Sequence, residues 1–376
     1  MNERIEIKKF VCNVLIIGGG PAGATAAREL NKQGIENILL EKDFSFKKPC
    51  GGGLMLRAFA EFEIPESLIQ KRVKKIKIVS PQEKEAEVDI SQTPLTVVNR
   101  QEFDAALRQM AQQGGTKMIE AKAYNIEVGE NIKVRARSYT DEIEIEAKYI
   151  IAADGVNSLI RKRLRHETPA RVLTHYIDIE DVQTDSCQFW FGKDIAPGHY
   201  AWIFPHHQGV NIGVCCDDPK EISSCMDRFL NKAGVPPHSN TKVKGYFIPQ
   251  WEREVYYEQG VFFVGDSASM VLPFTYEGIY YAMKSAVMAV EAIAKDEPLL
   301  YEKRWKTEYA KKFRFLKLLQ KIFLRSDKLS EKMVSFYQKP SFQKSVTGYW
   351  MGTKEPVGTA RTLWKVMKLL GRKYFW

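Results

Sequence analysis

The sequence predicts an α/β fold in three parts: a parallel-sheet domain assembled from separated stretches of chain, a mostly antiparallel β-sheet interleaved with it, and a helical C-terminal region. Three observations predict it. Apolar runs of buried-strand type occur at 14–17, 38–40, 149–153 and 261–264, and three of them lead into glycine-bearing turns and helical patterns. Between the third and fourth runs, "HYIDIEDVQTDSCQFWFG" and "GVNIGVCCDD" alternate as strands of a half-exposed sheet do. Beyond residue 300, leucines and aromatics recur at helical spacing among lysines. The expected division is 11–57, 95–165 and 255–300 for the first domain, 58–94 and 166–254 for the second, and 301–376 for the helical region.

The first stretch reads "NVLIIGGGPAGATAARELNKQGIENILLEKD". Val14–Ile17 has the apolar continuity of a buried parallel strand, Gly18, Gly20 and Gly23 form G-x-G-x-x-G, and 24–33 has helical composition. A second strand at 38–40 ends in Glu41. Gly18 allows the tight turn, Gly20 lets a pyrophosphate approach the backbone, and Gly23 lets helix and strand pack closely. The helix start offers free N–H groups and a positive dipole end to phosphates. Glu41 suits both hydroxyls of an unphosphorylated ribose, which favours NAD or FAD over NADP. The first domain is therefore read as Rossmann-like.

Composition narrows the setting. The chain has 376 residues, 44% of them hydrophobic, which suffices for a large core. No run of about 18 apolar residues is long enough to cross a bilayer, and "MNERIEIKKF" is too polar for a secretion signal. Six cysteines without metal-type spacing point to free thiols and a cytoplasmic setting, with no metal site expected. His206–His207 lack ligand spacing and read as a solvated turn. The net charge of +10 is local: residues 301–376 hold 19 Lys and Arg against 5 Asp and Glu. An anionic partner of that segment is implied, and with an acidic body and no binding fold it is not nucleic acid.

Three later segments select the cofactor. "VVNRQEFDAALRQM" opens a helical pattern at Arg100, "YIIAADGVNSLIRKRL" ends a strand at Asp154–Gly155, and "GVFFVGDSASMVLPFTYEGIYYAMKSAVMAVEAI" ends one at Gly265–Asp266 before a helix near Gly278. A carboxylate at a strand end can hold ribityl hydroxyls, and N–H groups at the start of that helix can stabilise a reduced flavin ring. The ordered set resembles FAD-dependent oxidoreductases of the para-hydroxybenzoate hydroxylase fold. Within it, "KPCGGGL" at 48–54 and "PGHYAWIFP" at 197–205 resemble the geranylgeranyl reductase family. The likeness runs from about residue 11 to 300. It implies FAD contacts at Ala22, Glu41, Cys50, Gly51, Gly53, Arg100, Ala123, Asp266, Gly278 and Ile279. Where the family carries a glycine in T-G-x-G-I, this chain has Tyr276, which puts the loop's shape in question and can shape the substrate mouth.

Tyr200, Trp202 and Phe204 alternate, so they share one face of a strand. They either fill a sheet core or wall a cavity; the resemblance implies a cavity for an isoprenoid chain above the flavin. Cys50 has two readings, a proton donor at the reacting double bond or a small residue packed beside the ring, and Tyr200 is a second donor candidate. The expected activity is saturation of C=C bonds in a polyprenyl chain on a membrane lipid or quinone. Electrons would come from NADPH, a ferredoxin or a partner reductase. Rivals are a flavin monooxygenase or halogenase, an electron-transfer flavin dehydrogenase and a non-enzymatic flavin- or lipid-binding module. In the tail, Leu363, Trp364, Met367, Leu369 and Leu370 share an apolar side rimmed by Arg361, Lys365, Lys368 and Arg372. That side either docks on the body or lies on the inner face of a membrane, and the charge excess favours the membrane.

Overall fold

The apolar run at 14–17 is the buried end of a longer strand, Ile7–Ile17, in a computed structural model that describes residues 7–235 and 242–343. Its polar first half is exposed and was not legible as a strand from apolar continuity. It forms because Glu142–Ala152 runs parallel beside it over its whole length, Ile7 opposite Glu142 and Ile17 opposite Ala152. Asn37–Glu41 pairs parallel on the other side, with Lys117–Glu120 beyond it and Val261–Phe263 flanking Glu142–Ala152. Short antiparallel strands complete an eight-stranded sheet.

The helix Pro21–Lys32 follows the first strand, with Pro21 at its start, where a missing N–H is harmless. Arg100–Gln113 begins at Asn99, whose side chain accepts from the Gln101 N–H. Ile279–Ala294 is apolar nearly all round and correspondingly buried.

The second sheet has seven strands in the order Lys244–Pro249, Arg171–Glu180, Gly209–Cys216, Ala201–Pro205, Ser186–Trp190, Lys75–Val79, Glu85–Asp89. All neighbours are antiparallel except Ser186–Trp190 with Lys75–Val79. A three-stranded sheet of Gly53–Met55, Leu95–Val98 and Ile69–Val73 lies in the same region of the chain.

Two helices, Pro298–Phe323 and Asp327–Tyr337, follow. Tyr301, Trp305, Phe313 and Leu316 form a stripe of helical period buried in the main core. For this helix the apolar side docks on the body. The apolar side at 363–370 lies outside the described residues. Among the described residues no helix is long and apolar enough to cross a membrane.

The glycines of the first turn differ in what confines them. A Cβ on Gly23 would lie 1.8 Å from the Gly18 carbonyl oxygen, whereas one on Gly20 meets nothing within 4 Å. Gly23→Ala is expected to cost about 1–3 kcal/mol by overpacking backbone against backbone. Gly20→Ala, at a φ of −75°, should change the stability of the cofactor-free protein by less than about 1 kcal/mol. Urea unfolding of the two variants side by side checks the contrast.

Candidate active site

The parallel strands end level with one another, so Gly18, Glu41, Asp154 and Asp266 reach one edge of the sheet and line one cavity there. Gly18 has φ +106°, and a Cβ on it would strike the Ala153 carbonyl at 2.3 Å. Glu41 Oε2 accepts from the Gly19 N–H at 2.6 Å, and Oε1 from Lys42 and Asp43 N–H at 2.8 and 3.2 Å. The carboxylate that was expected to meet ribose therefore also holds the glycine turn in shape. Gly20, Ala22 and Ala123 line the same cavity, and Gly23 sits behind it as the packing contact.

Two contributors were missed in the sequence. Arg108 donates to the Gly19 and Phe44 carbonyls at 3.1 and 2.8 Å and walls the cavity from the Arg100–Gln113 helix. Its signal was present: Arg100, Asp104 and Arg108 follow one another at i+4 along one helix face. Lys48 is the other, paired with Asp266 at 2.5 Å across 218 residues of sequence. Burial works against its charge, but Asp266 holds its ammonium above the ordinary lysine value.

The cavity fits a dinucleotide. The first-turn N–H groups of Pro21–Lys32 have no intrahelical acceptor, Gly20 leaves open space, and Asp154 Oδ1 is buried with no hydrogen-bond partner among the described residues. Burial raises the Asp154 carboxyl above the usual range.

A second cavity adjoins the first. Pro21, Lys48, Arg100, Tyr246, Asp266 and Ala282 line both. Arg100 is buried and binds Asp104 through two hydrogen bonds of 3.0 and 2.7 Å. Burial opposes its charge, yet Asp104 more than offsets this and its pKa lies above the usual arginine value. The Cys50 thiol is also within hydrogen-bonding reach of Arg100, and its sulfur accepts from the Gly52 N–H at 3.3 Å.

Gly51 and Gly53 press against the Phe204 ring. A Cβ on Gly51 would lie 2.7 Å from that ring and one on Gly53 3.3 Å. Tyr200, Trp202 and Phe204 all line the second cavity, with Phe189 edge-on to Tyr200 and Phe204 at centroid distances of 5.1 and 5.3 Å. Trp202 Nε1 donates to Asn211 Oδ1 at 2.7 Å, so the indole is fixed. The Tyr200 hydroxyl donates to the Thr275 carbonyl at 2.8 Å. Met333 and Tyr337 of the Asp327–Tyr337 helix line this slot too.

Tyr276, Gly278 and Ile279 line the slot as well. Tyr276 takes φ +53°, the left-handed conformation a glycine would adopt. Its hydroxyl lies 2.5 Å from His199 Nδ1 and accepts from Gln320 Nε2 at 3.1 Å. Burial pushes the Tyr200 and Tyr276 phenols well above the ordinary tyrosine value, so both remain protonated.

Comparison with known proteins agrees on what such a pair of cavities belongs to. The FAD-binding-domain family matches residues 11–255. The chloroplastic geranylgeranyl diphosphate reductase of Arabidopsis thaliana is 31% identical, covering 88% of this chain and 78% of that protein. The digeranylgeranylglycerophospholipid reductase of Methanocaldococcus jannaschii is 28% identical over 80% of this chain and 83% of its own length. A geranylgeranyl bacteriochlorophyll reductase-like protein of Thermoplasma acidophilum shares the fold, with a TM-score of 0.78 and 23% identity over 96% of this chain and 100% of that one. The cofactor of this chain is FAD.

Arg100→Met removes the cation from a carboxylate that has almost no access to water. It should destabilise the protein by about 3–5 kcal/mol, because a buried charge is left unpaired, while Arg100→Met with Asp104→Leu recovers most of the loss. A double-mutant cycle by urea unfolding measures this.

Proposed function

The chain belongs to the geranylgeranyl reductase family of FAD-dependent oxidoreductases, and we propose that it saturates isolated C=C bonds in a polyprenyl chain carried by a membrane lipid or a quinone. The observation that carries this reading is the junction of the two cavities: an apolar, aromatic-walled slot opens onto the nucleotide site through Lys48, Arg100 and Asp266, which line both. A polyprenyl chain offers only apolar surface between its ends, so leaving water for a wall of fixed rings is favourable. Bound FAD in its reduced form supplies the electron pair and one hydrogen.

Gly18, Gly20, Ala22, Gly23, Glu41, Arg100, Ala123 and Asp266 serve the nucleotide and ribityl side. Cys50, Gly51, Gly53, Gly278 and Ile279 border the ring. Tyr200, Trp202, Phe204 and Tyr276 hold the prenyl chain dry, with Cys50 and Tyr200 placed at the reacting double bond. Electrons enter from NADPH, a ferredoxin or a partner reductase. The positive excess of residues 301–376 draws the enzyme to anionic lipid, each Lys or Arg near the surface adding about 1 kcal/mol. That suits a substrate that stays in a bilayer.

Dithionite-reduced, FAD-loaded protein mixed with geranylgeranyl diphosphate or a geranylgeranylated lipid should yield products heavier by about two mass units per double bond, read by mass spectrometry. Cys50→Ala should slow this at least about tenfold, since the reacting bond loses its positioning contact. Reduced enzyme that leaves every prenyl compound unchanged would sink the reading.

A further inference from the structure

The core between Ile279–Ala294 and Pro298–Phe323 is apolar, and most of its residues are Ala, Met, Val, Phe and Trp. Lys312 is nevertheless buried within it, donating to Tyr281 Oη at 2.9 Å. Glu277 stands beside it, at the residue before Gly278 and in the wall of the slot. Its Oε1 is buried and has no hydrogen-bond partner among the described residues. The groups that act on it are Lys312 from Pro298–Phe323, Arg57 from Arg57–Glu61, and Tyr281 on its own side. Ionisable groups taken out of water at this expense need a reason, because an apolar set of the same volume is usually as stable.

The reaction supplies one. Saturating an isolated double bond takes a proton as well as a hydrogen with its electron pair, and no neighbouring carbonyl spreads the developing charge. The protic groups near the junction are already engaged. Asp266 is paired with Lys48 at 2.5 Å, the Tyr200 proton is given to the Thr275 carbonyl, and the Tyr276 oxygen is tied to His199 and Gln320, while the Cys50 sulfur accepts from the Gly52 N–H and its S–H is a weak donor. Asp266 and Glu277 are the carboxyl groups lining the slot among the described residues, which leaves Glu277.

We propose that Glu277 is the general acid of the reduction. The Glu277 O–H bond breaks as a C–H bond forms at one carbon of the double bond. The hydrogen and electron pair for the other carbon would come from reduced FAD held at the edge lined by Glu41, Arg100 and Asp266, so that the products are a saturated bond, the oxidised cofactor and the Glu277 carboxylate. Lys312 and Arg57 face that carboxylate and stabilise it until it regains a proton from solvent. Burial supports the assignment: it pushes the Glu277 carboxyl up to about 7, with Lys312 and Arg57 pulling against it. An acid at that value is roughly half protonated in neutral solution and still gives its proton readily. The inference rests on the reductase reading above.

The sign of the pH dependence follows. The acid form is the active one, so the rate should fall as pH rises through about 7. With the FAD-loaded enzyme reduced by dithionite and given geranylgeranyl diphosphate, Glu277→Gln should lower turnover by about 100-fold or more and abolish that alkaline limb. Glu277→Asp should regain part of the rate and keep the limb. Lys312→Met, by removing a cation that favours the carboxylate, should move the limb to higher pH. A readout apart from activity is infrared difference spectroscopy of the FAD-loaded protein without substrate. Burial raises the Asp154 carboxyl too, and it stays in every variant, so the readout is the wild-type spectrum minus that of Glu277→Gln: the difference should hold a protonated-carboxyl band that disappears on going from about pH 5 to about pH 9, and Glu277→Asp should keep such a band. A Glu277→Gln enzyme with normal FAD content, the wild-type rate and the wild-type pH profile overturns the proposal, as does a Glu277→Gln spectrum that keeps every titrating carboxyl band of the wild type. A wild-type enzyme inert toward every prenyl compound overturns the reductase reading instead.

Discussion

The constraint on which the rest depends is the register of four parallel strands. Ile17 lies opposite both Leu40 and Ala152, and Ala152 lies opposite Phe263. Because the pairs are in step, each strand stops at the same level, and the residues one to three places further on are delivered to one edge. Gly18, Glu41, Asp154 and Asp266 come from four separate parts of the chain and meet for this reason alone. A slip of one residue would turn each strand's side chains to the opposite face, and the nearly complete burial of Val14–Ile17 and Ile150–Ala152 makes such a slip prohibitive. The cofactor site is therefore a consequence of sheet packing, with its chemistry added at the strand ends.

What the sequence made legible was local. A strand, a glycine turn, a helix and a terminal acid occupy some thirty consecutive residues, and hydrophobic periodicity reports each directly. The alternating segments of the second sheet were legible in the same way, and Arg171–Glu180, Ser186–Trp190 and Gly209–Cys216 are strands. Contacts made by tertiary folding were not. Nothing near Lys48 announces Asp266, and nothing near Gly51 announces the Phe204 ring that presses on it. The polar half of Ile7–Ile17 was hidden because its partner strand, rather than its own composition, makes it a strand. The helix after residue 298 shows the limit from the other side: one lysine-rich apolar stripe fits a membrane surface or a protein core equally well, and only packing decided for the core.

The aromatic strand resolves a choice that period-two alternation leaves open. Ala201 and Ile203 face one layer of the second sheet, among Ile212, Val214 and Phe229. Tyr200, Trp202 and Phe204 face the other, where Phe189, Phe191 and Phe274 join them and the slot opens. The rings are at once core and cavity wall. Trp202 lies across Gly213 on the next strand, where any Cβ would collide with the indole at 2.2 Å. The wall is thus held by backbone on one side and by Asn211 and Asp178 through its N–H. A wall fixed that firmly keeps its shape when empty, which lowers the entropy lost when a flexible chain binds.

The loop between the cofactor edge and the Ile279–Ala294 helix joins these constraints. Phe274 and Tyr276 both take positive φ, a conformation that costs an L-residue roughly 1–2 kcal/mol. Contacts from two sides offset that expense: His199 and Tyr200 at the start of the aromatic strand, the latter binding the Thr275 carbonyl between the two strained residues, and Gln320 from the Pro298–Phe323 helix. The two sides belong to different parts of the fold, so the loop reaches its shape only when the sheet and the helix are both in place. This is why the tyrosine can stand where the family carries a glycine. Tyr276 takes a left-handed backbone that a glycine would also tolerate, and its ring adds surface to the slot that a glycine cannot. Glu277, next in sequence, is oriented by the same loop. The strain in this segment therefore secures both the slot's wall and the carboxyl beside it.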